Sequence, residues 1–218
     1  MARLTEEEEL MRQAAMLETE RRLRGMGYTY IAGIDEAGRG PLAGPVYAAA
    51  VILPENVRLD GINDSKKLSP KKRDELFDKI IETAVAYSVC PIDEKVIDEV
   101  NILNATYMAM NGAVRGLSPQ ADYAVIDGNG IRGMNLPHET IVGGDAKSMS
   151  IAAASILAKV SRDRYITEMA EKYPEYGFEK HKGYGTKAHT EAILKYGPCP
   201  IHRMSFLKKL LGRKQGEV

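Results

Sequence analysis

Two short apolar runs in this chain end on an aspartate and pass at once into glycine. Tyr30 to Asp35 is followed by Glu36-Ala37-Gly38, and Tyr123 to Asp127 (YAVID) is followed by Gly128-Asn129-Gly130. Apolar runs of this length, bounded by glycine or proline, read as buried strands, and an acid at the end of each is delivered to one edge of a sheet. Val46 to Leu53 (VYAAAVIL), Tyr87 to Pro91 and Glu139 to Val142 read as further strands.

Helices alternate with them. Thr5 with Glu8 forms a capping box ahead of one helix to about Arg24, ended by Gly25 and Gly27. Ser69-Pro70 opens another through Ala84; Asp93 to Val100, Asn101 to Leu117, Ser148 to about Tyr173, Lys187 to Tyr196 and the segment SFLKKLL complete the series. The fold class that follows is α/β: a mixed sheet whose first strands are antiparallel neighbours and whose later strands are joined through helices. With 218 residues and 44% hydrophobic content the chain is read as one domain with helical additions: an N-terminal helical extension 1–27, a catalytic domain 28–206 and a tail 207–218.

Several classes of function drop out. No window reaches the roughly 18 continuous apolar residues of a membrane span, and the first residues, MARLTEEEELMRQ, are acidic where a secretory signal is basic and then apolar. A cytoplasmic protein without a membrane partner is expected. Cys90 and Cys199 are too few for a disulfide framework or a zinc site. Thirty basic residues balance thirty acidic ones, so net charge announces no nucleic acid. The bases are clustered, however, at Lys66-Lys67, Lys71 to Arg73, Lys180, Lys182, and Arg203 to Lys214. Such clusters are ordinarily solvated faces, and become a phosphate track if the fold gathers them on one side.

The acids carry the chemistry. Successive strand side chains point to opposite faces, so Asp35 and Glu36 are expected to reach one centre only if the strand ends at Asp35 and Ala37-Gly38 supplies a break. Asp127 ends its own strand. Asp145 follows Gly143-Gly144 just ahead of the long helix, where the alternatives are a ligand, a helix cap or a solvated loop acid. Oxygen donors without His or Cys nearby describe a site for a hard cation, magnesium or manganese. Two such ions about 3.5–4 Å apart perform in-line phosphoryl displacement.

The blocks GIDEAGRGPLAGP (Gly33 to Pro45), NDSKKLSPKKRDEL (Asn63 to Leu76), YAVIDGNG (Tyr123 to Gly130), GGDAKSMSIAAASILAKVSRDRY (Gly143 to Tyr165), HKGYGTKAH (His181 to His189) and PIHRMSF (Pro200 to Phe206) follow one another in the order of the ribonuclease HII family, which this sequence resembles from Tyr30 to Phe206. The resemblance implies a ribonuclease H-like fold and a quartet of metal-binding acids on Asp35, Glu36, Asp127 and Asp145, with two Mg2+ or Mn2+ ions as cofactors. Asp163, flanked by Arg162 and Arg164 and one turn after Lys159, is read instead as an ion-paired helix acid. The family's ribose-contacting motif falls on Gly38, Arg39 and Gly40, its junction tyrosine on Tyr184, and a phosphate-facing stretch on Ser65, Lys66 and Lys67. Together the glycine loop and the tyrosine separate the sequence from ribonuclease HIII.

The implied activity is endonucleolytic cleavage of the RNA strand in RNA/DNA hybrids, and of duplex DNA containing a single ribonucleotide, 5′ to the ribonucleotide. The enzyme is expected to be a monomer. Its tail is a candidate contact for a sliding clamp, although no clamp motif is present and a helix folded back on the domain is the preferred reading. His138, His189 and His202 are assigned structural or solvated roles; His181, three residues from Tyr184, is the one to watch. The competing functions are another two-metal nuclease, a phosphatase for small esters, and a non-catalytic hybrid-binding protein.

Overall fold

A computed structural model describes residues 5–63, 65 and 68–212. Strand β1 (Ile31–Ala37) pairs antiparallel with β2 (Val46–Ile52), which pairs antiparallel with β3 (Ala86–Ile92); on its other side β1 runs parallel to β4 (Tyr123–Asp127), and β4 to β5 (His138–Ile141). The sheet order is β3-β2-β1-β4-β5, the mixed sheet expected.

The continuous apolar run of β2 has a simple cause: the strand is buried on both faces. Val46, Ala48, Ala50 and Ile52 pack with α4 (Glu94–Arg115), while Ala49 and Val51 pack with α5 (Met149–Lys172). Helix α5 also lies directly on the backbone of β1. A Cβ at Gly33 would stand 2.1 Å from the carbonyl carbon of Ser150, so only glycine allows the helix this close. That approach sets the start of α5 against the middle of β1 and brings Ser155, further along the helix, to Asp35.

Helix α4 contains the boundary expected at Asn101. This residue takes φ 69°, and its side-chain oxygen accepts from the N–H groups of Leu103 and Asn104, recapping the helix after the kink. The N-terminal helix differs from expectation. It is two helices, α1 (Glu6–Met16) and α2 (Glu18–Gly25), joined at Leu17. The bend lets Met16 and Leu17 enter the cluster around α5 while Leu23 packs with Ile31, Val125 and Ile151. It also brings Glu20 to the start of α5, where one carboxylate oxygen accepts from the Ser148 hydroxyl, the Ser150 hydroxyl and the Ser150 N–H at 2.7, 2.5 and 3.1 Å. A carboxylate there faces the positive end of the helix dipole.

Helix α3 (Pro70–Thr83) starts at the Ser69 cap as expected. Beyond α5, the short α6 (Phe178–His181), α7 (Lys187–Tyr196) and α8 (Met204–Gly212) close a separate apolar cluster containing Phe178, Ile193, Ile201 and Leu207. Leu207 is fully buried, so α8 folds back on the domain and runs across the 206/207 boundary. Among the described residues no helix is long and apolar enough to cross a membrane.

Candidate active site

Strand β1 does not stop at Asp35. Its pairing with β2 continues through Glu36 opposite Ala48 and Ala37 opposite Tyr47, so the expected break between the two acids is absent. Strand alternation therefore holds, and the acids leave the strand on opposite faces. Asp35 turns to the α5 side, 5% exposed, and is hydrogen-bonded by Ser155. Glu36 turns to the α4 side and lines a cleft of about 270 Å3 with Arg39, Thr106, Tyr107, Asp127 and the Gly128–Gly130 turn. Asp127, at the end of the parallel neighbour, stands between them.

Burial pushes the Asp35 carboxyl well above the usual carboxylate range, and the charges of Glu36 and Asp127 push it further in the same direction. Opposing this, Asp35 Oδ1 accepts from the Glu36 N–H at 2.7 Å. Asp127 Oδ1 accepts from the Gly144 N–H at 2.6 Å, which stitches the 3-10 turn Gly144–Ala146 to the end of β4. Asp145 sits in that turn and is 9% exposed. It is neither a solvated loop acid nor the cap of α5, since Ser148 caps that helix. All four acids thus lie at one end of the sheet. Among the described residues no three His, Cys, Asp or Glu side chains stand close enough together to grip an ion, although Glu36 and Asp127 are near enough to Asp35 to raise its carboxyl. The donor set nevertheless fits a hard divalent cation: its groups are all carboxylate oxygens, and the charges of Glu36 and Asp127 add to burial in raising Asp35.

The opening glycine stretch is held from behind by two buried arginines. Arg203 donates to the carbonyls of Gly38, Arg39, Pro41 and Gly44 at 2.6 to 2.9 Å, and its own N–H donates to the Leu42 carbonyl. Arg162 donates to the carbonyls of Ala43, Pro45 and Lys182 at 3.0 to 3.2 Å. Burial pushes Arg203 down to about 9, still cationic at neutral pH. With the carbonyls drawn inward, the N–H groups of Gly38, Arg39 and Gly40 meet no acceptor among the described residues. Gly38 holds this turn at φ +95°, where a Cβ would strike the Arg162 side chain.

Tyr184 comes to the same place. A Cβ on Gly40 would lie 3.8 Å from its ring, the ring is 43% exposed, and the Arg162 guanidinium and Lys159 ammonium stand 5.9 and 6.0 Å from its centre. The Leu42 N–H donates to the Gly183 carbonyl, which joins the two loops directly. Arg39 approaches Glu36 at 3.4 Å. Ser65 is 3% exposed, its hydroxyl 2.9 Å from that of Ser155; it lies behind Asp35, one residue removed, not on the surface. Lys66 and Lys67 lie outside the described residues. Asp163 pairs with Lys159 at 2.7 Å, as expected, while Arg164 pairs with Asp74. Arg203, counted by sequence among the surface bases, is fully buried and belongs to no phosphate track. Sequence reasoning also passed over Arg162 and Ser155; the only signal was their place inside the quoted blocks.

A family model described as Ribonuclease HII matches residues 32–209. The chain is 57% identical over 194 residues to the ribonuclease HII of Caldicellulosiruptor bescii, covering 89% of this chain and 94% of the relative. Among solved structures it is similar to ribonuclease H2 of Pyrococcus horikoshii, with a TM-score of 0.74, 29% identity and coverage of 87% of this chain and 100% of that one. It is also similar to the Archaeoglobus fulgidus RNase HII solved as a complex with PCNA, with a TM-score of 0.68, 28% identity and coverage of 81% and 94%.

Proposed function

The chain belongs to the ribonuclease HII family, and on that premise we propose that this nuclease cuts the RNA strand of RNA/DNA hybrids and duplex DNA at a single embedded ribonucleotide. Cleavage falls 5′ to the ribonucleotide and leaves a 3′-hydroxyl and a 5′-phosphate, in the service of removing ribonucleotides from DNA as a cytoplasmic monomer. One observation carries the reading: the Tyr184 ring lies against Gly40, in the loop that follows Asp35 and Glu36 and whose carbonyls at Gly38 and Arg39 are held by Arg203.

The residues divide the work. The N–H groups of Gly38 to Gly40 are donors for the ribose 2′-hydroxyl and its neighbouring phosphate, and the 2′-hydroxyl is what tells RNA from DNA at one nucleotide. Arg39, half exposed, attracts phosphate and supplies affinity without discrimination. Lys66 and Lys67 are assigned the same general role, and Ser65 supports the acids through Ser155. Tyr184 offers its face to the following sugar. Asp35, Glu36, Asp127 and Asp145 are the residues that would hold Mg2+ or Mn2+. Two such ions, when bound, supply an activated water and a counter-charge for the departing oxygen. A sliding-clamp contact, of the kind seen for the Archaeoglobus fulgidus neighbour, would fall to the tail 207–218, which begins within α8 and ends outside the described residues.

The test is a labelled duplex carrying one ribonucleotide, incubated with magnesium, with manganese and with chelator, and the cut mapped. Metal-dependent cleavage 5′ to the ribonucleotide is expected, and no cleavage with either metal defeats the assignment. Tyr184→Ala should lower kcat on this duplex while weakening binding only modestly, and Tyr184→Phe should fall between.

A further inference from the structure

Behind Tyr184 lies a set of imidazoles to which the catalytic reading gives no task. His189 and His202 are buried, their Nε2 atoms 3.0 Å apart. His181 stacks on His189 with ring centres 4.4 Å apart, and Phe178 meets His189 edge-on at 5.3 Å.

The hydrogen bonds at the two ends of this set run in one direction only. His189 Nδ1 is 2.9 Å from the Tyr184 carbonyl, an acceptor, so Nδ1 carries the proton. Its Nε2 then accepts, and His202 Nε2 must donate to it. His202 Nδ1 is left as an acceptor, and it receives the Cys199 N–H at 2.9 Å and faces the Cys199 thiol at 3.1 Å. The Cys199 carbonyl, 3.3 Å away, cannot compete, because a nitrogen accepting from the shorter N–H bond has no proton to give. His181 is fixed in the same way: its Nε2 faces the Tyr176 carbonyl at 2.8 Å and its Nδ1 accepts from the Gly183 N–H at 3.2 Å. Every ring is thereby assigned one neutral tautomer. Burial, which holds His189 and His202 down to about 4, agrees with that assignment.

We propose that His189 and His202 form a relay that positions Tyr184: a chain of one-way hydrogen bonds runs from the Cys199 main chain through both imidazoles to the Tyr184 carbonyl and sets the tyrosine ring against Gly40. That the ring serves a ribonucleotide junction rests on the function proposed above; the relay itself does not. The next residue after His202 is Arg203, whose guanidinium holds the carbonyls of the opposing loop. One short segment, residues 199–203, therefore fixes both halves of the junction site. His189 touches no reacting group and acts through Tyr184 alone, so the two substitutions should not be additive.

The experiment uses His189→Ala and His189→Asn, each in the wild-type and the Tyr184→Ala background. Asparagine can present an amide N–H where Nδ1–H stood. On a duplex with one ribonucleotide, His189→Ala should lower kcat by about tenfold with KM little changed, as expected of lost orientation. His189→Asn should recover most of the loss, and His189→Ala should cost nothing further once Tyr184 is alanine. An equal loss in both backgrounds, or no rescue by asparagine, overturns the proposal. Without substrate, amide exchange at Tyr184 and Thr186, whose N–H groups bond the His181 and Tyr184 carbonyls, should accelerate in His189→Ala relative to α5. Unchanged exchange there overturns the relay whether or not the chain cleaves. A wild-type chain that failed to cut would strike only the function proposed above. Should His189→Ala fail to fold, 15N shifts of the wild-type imidazoles decide: Nδ1–H on His189 and Nε2–H on His202 are required, and the reverse tautomers reject the proposal.

Discussion

Two neighbouring regions of this molecule bury charge in opposite ways. At the end of β1 and β4, Asp35 is buried with Glu36 and Asp127 close enough to raise it, and the groups that answer it are single N–H and hydroxyl donors. A few residues further on, Arg162 and Arg203 are buried as deeply, yet each is wrapped in main-chain carbonyls at hydrogen-bond distance. A buried charge whose every nitrogen meets an acceptor is a scaffold, and one that repels its neighbours is a site in want of a counter-charge. The difference teaches where to look for chemistry and where for shape.

The comparison is most severely tested at the acids. On the proposed metal site, Asp35→Asn or Asp127→Asn should reduce turnover by on the order of 10³ or more, since several kcal/mol of charge stabilisation would be lost with a carboxylate that an amide cannot replace. Without metal, Asp35→Asn should melt higher than wild type at neutral pH. The folded state raises the carboxyl, so it holds the proton more tightly than the unfolded chain. The stability this contributes is complete below the unfolded carboxylate range, and is lost as pH rises through the raised folded value. The advantage of asparagine is therefore expected at pH 7 to 8 and should vanish near about pH 4. Equal melting temperatures at every pH would break the comparison on the acidic side.

On the scaffold side, Arg203→Lys should cost about 3–5 kcal/mol in urea unfolding. Lysine's three donors cannot reproduce the planar fork, and a buried carbonyl left unpaired costs about 1–3 kcal/mol. Half-exposed Arg39→Lys should stay within about 0.5 kcal/mol. If the two losses matched, Arg203 would be no scaffold.

The smallest effects sharpen the boundary between the regions. Asp145→Asn should lose about 100-fold in turnover with little change in melting temperature, placing it with the acids. Asp163→Asn removes only an i,i+4 pair with Lys159 and should cost about 0.5 kcal/mol with turnover intact. The opposite pattern would exchange their roles.

Much of the fold is legible in the sequence because its signals are local. Thr5 with Glu8, Ser69-Pro70 and the kink at Asn101 all act where they were read, and YAVID is β4 in full. Of the site, the four acids and the meeting of Gly40 with Tyr184 were legible as motif positions. What local signals could not give is geometry set from a distance. Pairing with β2 carries β1 through Glu36 and so sends the adjacent acids to opposite faces. Burial of the Met16–Leu17 pair bends a helix that capping alone would leave straight. A guanidinium bound to carbonyls reads in sequence like any surface base, because its partners lie more than a hundred residues away.

That distance has a consequence for the order in which the enzyme becomes complete. Arg203 and the Gly38 carbonyl it holds are 165 positions apart, so a chain emerging from the ribosome can assemble β1, β2 and α3 long before the glycine loop has anything to hold it. At roughly 5–20 residues per second, the usual pace of synthesis, the loop waits on the order of ten seconds for the arginine that shapes it. Asp35 and Glu36, the acids of β1, are therefore in place early and the shape of the glycine loop that follows them late, and a nascent chain lacking residues 199–203 has these two carboxylates without the guanidinium that holds the loop beside them.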